Sequence, residues 1–274
     1  VTAQTAYDRA RAEDRAALVG YLPAGFPTVD GAVEAAKTMV DAGCDVIEIG
    51  LPYTDPMMDG PVIQDAVHQA LVGGVRVADV FRTVEAVAAT GVPTLVMTYW
   101  NPVDHYGVDA FARDLAGAGG AGLITPDLGP EEGGDWLEAS EAHGLDRVFL
   151  VALSSTDERI ESITAACRGF VYAASLMGVT GARTAVDTGA PRLVERTRAI
   201  IGKRAPDAGG TLPVGLGLGV GNGAQAAEVA RFADGVIVGS AFVRRLLDAP
   251  DLATGLAGLR ALTEELAEGV RKGR

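Results

Sequence analysis

Glu48, Asp55 and Asp59 fall within the segment Ile47-Glu48-Ile49-Gly50-Leu51-Pro52-Tyr53-Thr54-Asp55-Pro56-Met57-Met58-Asp59-Gly60. The run Asp45 to Ile49 reads as a buried strand, and Glu48 lies inside it. A carboxylate in an apolar strand is costly unless it is paired or used. Asp55 and Asp59 follow in a Gly/Pro-rich loop. Two carboxylates in different surroundings hold different protonation states, so Glu48 and Asp59 together can act as acid and base. The alternative is a structural Glu48 hydrogen-bonded between strands, with Asp59 a turn residue before Gly60.

The absences narrow the chemistry. His68, His105 and His143 have no metal-ligand spacing. Lys37, Lys203 and Lys272 fall at no expected strand end, which leaves a Schiff base without a nucleophile. There is no GxSxG, CxxC or P-loop. Carboxylate acid/base chemistry remains, with no metal or cofactor expected.

The elements that position these groups read as eight apolar runs: Ala17–Leu22, Val46–Gly50, Thr94–Tyr99, Gly122–Thr125, Arg147–Leu153, Phe170–Ala174, Leu212–Leu216 and Gly235–Gly239. They are continuous rather than alternating, so both faces should be buried. Stretches of helical spacing, such as Val29–Ala42 and Ala110–Ala118, lie between them. Gly202–Thr211 reads as the turn before the seventh strand. Strand and helix alternate throughout, and 274 residues suit one domain, residues 1–274, an α/β fold of the single (β/α)8 TIM barrel type. Chemistry then belongs at the C-terminal strand ends.

Those ends supply further candidates. Gly215-Leu216-Gly217-Leu218-Gly219 closes the seventh strand, and Gly239-Ser240-Ala241 closes the eighth and opens a helix. Such loops cradle a phosphate through backbone N–H groups. Ser175 to Thr184, rich in small residues, has the composition of a lid. Tyr99 and Tyr172 sit at strand ends, either lining a pocket or filling the core.

The net charge of −13 argues against nucleic acid as a partner. No apolar run approaches the roughly 20 residues that span a bilayer, so no membrane association is expected. Val1 to Arg15 is polar and charged, unlike a secretory signal. With Cys44 and Cys167 far apart, the expected location is cytoplasmic.

The chain resembles the α subunit of tryptophan synthase. The Ile47–Gly60 segment is similar to that family's signature. Thr98-Tyr99-Trp100-Asn101-Pro102, Pro126-Asp127-Leu128, Leu176-Met177-Gly178-Val179-Thr180-Gly181-Ala182-Arg183 and Val238-Gly239-Ser240-Ala241 match in the family's order, from about Ala17 to about Leu246. The resemblance implies cleavage of indole-3-glycerol phosphate to indole and glyceraldehyde 3-phosphate. Glu48 would be the main acid/base, and Asp59 would hydrogen-bond the indole N–H. Tyr21, Met97, Tyr99 and Leu218 would surround the indole, and Tyr172 would orient the glycerol and Glu48. Thr180 would contact Asp59 on closure. Gly181, Gly219, Gly239 and Ser240 would hold the phosphate.

It also implies a β subunit partner in an α2β2 heterotetramer, contacted near Asp55 and Pro56. Pyridoxal phosphate would belong to that partner. Met58, Thr54, Leu218, Pro23-Ala24 and Gly221-Asn222-Gly223 depart from the family's usual residues. Met58 and Leu218 keep a non-catalytic regulatory subunit in view, and a metal-free isomerase of phosphorylated sugars is a third reading.

Overall fold

Continuous apolar runs fold as strands buried on both faces, and here they close on themselves. The computed structural model describes residues 1–175, 189–204, 212–217 and 219–273. In chain order the elements are α1 (Ala3–Ala12), β1 (Ala17–Pro23), α2 (Val29–Asp41), β2 (Val46–Gly50), α3 (Pro61–Val72), α4 (Val77–Ala88), β3 (Thr94–Met97), α5 (Trp100–Tyr106), α6 (Val108–Gly117) and β4 (Gly122–Thr125). There follow α7 (Gly134–Ala142), β5 (Asp146–Ala152), α8 (Asp157–Ala166), β6 (Val171–Ala174), α9 (Ala190–Arg204), β7 (Val214–Gly217), α10 (Gly223–Ala230), β8 (Gly235–Val238), α11 (Ser240–Leu247) and α12 (Leu252–Lys272). The eight strands form a closed parallel barrel in sequence order, with β8 paired to β1. This is the expected (β/α)8 barrel.

The side-chain alternation divides the apolar residues into two packed sets. Leu18, Ile47, Ile49, Val96, Leu123, Phe149 and Val171 point outward and pack under the helices. Val19, Val46, Leu95, Ile124, Val148, Phe170 and Ile237 point inward and fill the barrel. Glu48 lies two residues beyond Val46, so the period of two aims it inward.

The inner set has a floor. Helix α1 lays Ala3, Ala6, Tyr7 and Ala10, one face at helical spacing, against the interior residues. Thr2 makes no side-chain cap, and Asp146 at the start of β5 accepts the Ala3 N–H at 2.7 Å instead. Sequence reading saw only a polar N-terminus here.

Two other boundaries differ from expectation. The third strand stops at Met97: the Thr98 N–H makes the last rung of the ladder, to the Ile124 carbonyl, and Tyr99 becomes the residue before α5. Pro102 in that helix's first turn is harmless, since an N–H there has no intrahelical partner. Helix α9 runs on to Arg204, so Gly202–Arg204 is helical rather than turn. The rest of that turn, 205–211, lies outside the described residues.

A buried ion pair ties β1 to β2 beside the floor. Arg15 reaches Asp45 through two bonds of 2.6 and 2.8 Å, and Asp45 also accepts the Leu18 N–H at 2.9 Å. Both side chains are buried. Removing one partner strands the other charge, so Asp45→Ala is expected to cost about 3 kcal/mol in urea unfolding. A loss below about 1 kcal/mol would mean that Arg15 finds solvent.

Candidate active site

The barrel's C-terminal mouth opens into a pocket of about 800 Å³, solvent at its entrance included. Its walls come from inward-facing strand ends. Tyr21, Glu48 and Met97 form one side, and Leu150, Tyr172 and Ala174 face them. Met58, Asp59 and Ile63 cover it from the β2–α3 connection. Gly217, Gly219, Ile237, Gly239 and Ser240 make the end under β7 and β8. Few polar groups on a mostly apolar wall is the usual composition of a small-molecule site.

Glycines make room for the two tyrosines. A Cβ on Gly50 would strike the Tyr21 ring, and one on Gly217 would strike that of Tyr172. Both rings therefore lean across the mouth, and burial pushes both phenols up.

Glu48 is 1 % exposed, and its Oε1 has no hydrogen-bond partner among the described residues. Burial alone raises its carboxyl to about 8, so it holds a proton at neutral pH. Asp59 is less enclosed. Burial raises it to about 6, opposed by a hydrogen bond from Tyr99. At neutral pH the pair is thus one acid and one carboxylate.

The loop that carries Asp59 is held at three points. Tyr99 bonds the Asp59 side chain and accepts the Met58 N–H at 2.9 Å. The Gln64 side chain donates to the Asp59 carbonyl at 2.8 Å. Tyr99 in turn sits beside Trp100, whose N–H is shared by the two oxygens of Asp127 at 3.0 and 3.1 Å. Tyr99 is not among the pocket-lining side chains; it grips the loop. The matched Pro126-Asp127-Leu128 motif is thereby an anchor for α5.

At the far end, Gly219 has φ +83°, a region that favours glycine. Helix α11 begins at Ser240, and its first N–H groups lack intrahelical acceptors. Gly221-Asn222-Gly223 starts α10 without a Ser/Thr-Pro pair, yet the Asn222 side chain caps it on the Gln225 N–H at 2.9 Å.

The structure gathers Glu48, Asp59, Tyr21, Met97, Tyr172, Gly219, Gly239 and Ser240 around one pocket. Thr180, Gly181 and Leu218 lie outside the described residues. Asp55 is exposed and accepts the Thr54 hydroxyl at 2.6 Å; Pro56 lines a groove beside it with Tyr53, Gln64 and His68. Neither reaches the pocket. Met58, Ile63, Leu150, Ala174 and Ile237 were not anticipated. For Leu150 and Ile237 the signal was inward alternation from Val148 and Gly235. Among the described residues, no cluster of three metal-binding side chains occurs. Nor is any helix long and apolar enough to cross a membrane.

A carboxyl raised by burial binds its proton more tightly folded than unfolded. Its folded-state penalty is absent at low pH and grows as pH climbs from the ordinary carboxyl range through about 8. Glu48→Gln removes that penalty. The variant is expected to gain stability over the parent at ~pH 9, on the order of a few kcal/mol, and none at ~pH 5. Urea unfolding at the two pH values reads the difference; equal gaps would contradict the desolvated carboxyl.

The geometry now meets its relatives. The family model of the tryptophan synthase alpha chain matches residues 7–271. The tryptophan synthase alpha chain of Salinispora arenicola is 65 % identical over 97 % of this chain and 96 % of that protein. A structure of tryptophan synthase from Mycobacterium tuberculosis aligns at 56 % identity and a TM-score of 0.90, covering 98 % of each chain. A tryptophan synthase alpha subunit from Pyrococcus furiosus, a mutant form, is 29 % identical with a TM-score of 0.81, over 92 % of this chain and 98 % of that one. With nearly its whole length matched, the chain belongs to the tryptophan synthase alpha chain family.

Proposed function

We propose that Glu48 and Asp59 carry out this family's reaction in a single barrel domain spanning the chain. The chain is a carbon–carbon lyase of tryptophan biosynthesis, cleaving indole-3-glycerol phosphate to indole and glyceraldehyde 3-phosphate. The observation that supports the residue assignment is the pair of unequal carboxyls facing one apolar pocket.

Protonated Glu48 donates to indole C3, which leaves positive charge on the ring. The Asp59 carboxylate accepts the indole N–H and stabilises that charge. The bond from C3 to the glycerol carbon then breaks, and its electrons return to the ring. As they do, the hydroxyl on that carbon becomes the aldehyde and its proton passes to Glu48. One carboxyl gives a proton and takes one back, so no outside acid or base is consumed. Tyr21, Met97 and Leu218 enclose the indole, and Tyr172 orients the glycerol. Gly181, Gly219, Gly239 and Ser240 receive the phosphate, with the positive end of α11 behind Ser240. Thr180 meets Asp59 when the loop closes.

The reading extends to a β subunit, which carries the pyridoxal phosphate and meets this chain at Asp55 and Pro56. We place both in an α2β2 heterotetramer in the cytoplasm. The exposed Met57, 73 % accessible beside Pro56, supports a contact there.

Indole release from indole-3-glycerol phosphate, measured with and without a tryptophan synthase β subunit, tests this. Glu48→Gln is expected to lose about 10³-fold or more in turnover and Asp59→Asn about 10²-fold, both folded by circular dichroism. Near-normal turnover of folded Glu48→Gln overturns the role given to Glu48. No indole from the parent with either addition, while it still activates the β subunit, points to a regulatory subunit instead.

A further inference from the structure

Tyr7 is buried inside the protein, and its hydroxyl has no hydrogen-bond partner among the described residues. The ring rises from α1 into the barrel and packs on Phe170, with centroids 5.2 Å apart. The hydroxyl enters a gap that two strand glycines keep open. A Cβ on Gly215 would lie 2.5 Å from it, and one on Gly235 would lie 2.6 Å away. Filling the floor needs only the ring, so a phenylalanine would serve without burying a donor.

Glu48 supplies the complementary fact. Its Oε1 is buried and unpartnered in the same interior, while its carboxyl lines the pocket above. Two buried polar atoms, a donor on the floor helix and an acceptor on β2, thus both lack a partner among the described residues. The charge that acts most on the Tyr7 phenol is that of Glu48. The titratable groups facing Glu48 among the described residues are Tyr7 from α1, Tyr21 from β1, Tyr172 from β6 and, at the mouth, Asp59. Tyr21 and Tyr172 belong to the pocket wall that receives substrate; Tyr7 approaches from beneath.

We propose that Tyr7 is a positioning residue for Glu48: its hydroxyl, from the barrel floor, holds the carboxyl oxygen turned away from the substrate through one enclosed water. The two groups are not bonded directly in this structure, and a single enclosed water is able to link two polar partners. The link holds the carboxyl at the height where it meets indole C3. Because it favours the charged form, it also draws the Glu48 carboxyl down toward its ordinary range from the value burial alone imposes. The inference rests on Glu48 being the acid/base.

Tyr7→Phe removes one oxygen and keeps the ring. Glu48 is titrated by carbon NMR of the side-chain carboxyl in labelled protein, its signal assigned by its absence from Glu48→Gln. In Tyr7→Phe that titration is expected to move up by about 0.5 to 1 pH unit. kcat should fall about 5- to 10-fold with the same KM, and the melting temperature should hold or rise. Replacing Tyr7 with 3,5-difluorotyrosine, a stronger donor, should move the Glu48 titration down. An unmoved titration in both variants overturns the proposal, as does an activity loss that only follows a lower melting temperature. A moved titration beside normal turnover in Glu48→Gln would keep the Tyr7 contact and discard the catalytic reading of Glu48.

Discussion

The barrel's chemistry turns on the cost of placing one carboxyl, that of Glu48, where water does not reach. An exposed glutamate is ionised at neutral pH and can only accept a proton. Glu48, desolvated between β1 and β3, keeps its proton and can give it away. Everything around it serves that condition. Inward-facing Val46 and Leu95 dry its surroundings from below, and Tyr21 and Tyr172 lean over it because Gly50 and Gly217 leave them space. The rigid strand fixes its height, which a loop would not do.

Asp59 shows the opposite strategy. It rides on a connection, partly buried, and is held there by hydrogen bonds. Tyr99 pulls its carboxyl back toward the ionised form while pinning the neighbouring Met58 amide. Asp127 fixes the start of the helix beside Tyr99. The site therefore combines a stiff acid with a tethered base, and the difference in enclosure is what separates their affinities for a proton.

The sequence made the strands legible because a strand buried on both faces leaves an unbroken apolar run, and Glu48 stood out against one. The Gly-rich ends of β7 and β8 were legible for a similar reason, since close backbone approach demands small residues. Tyr99 was read as either a pocket wall or core filler; its hold on the Met58 amide was not visible because that loop lies 41 residues earlier in the chain, and no local pattern reports such a contact. Helix α1 was missed altogether. Its buried face is mostly alanine, and Asp8, Arg9 and Arg11 dominate its composition, so its apolar stripe of Ala3, Ala6, Tyr7 and Ala10 is faint. Met58 entered as a departure from the family's usual residue and proves to be part of the pocket's cover.

That floor helix reverses the order in which the molecule is made. Its N-terminal amide at Ala3 is received by Asp146, 143 residues later, and its tyrosine rests in a gap framed by Gly215 and Gly235. During synthesis α1 emerges before any of these sites exists. It has nothing to dock against until β8 has been added and the ring of strands has closed. Such distant closure is entropically slow to reach. A chain that has not yet sealed its base leaves water beneath Glu48, and a hydrated glutamate is an ordinary anion. Helix α1 thus acts as a seal fitted after the vessel is complete, and the acid inside acquires its unusual character only once assembly has finished.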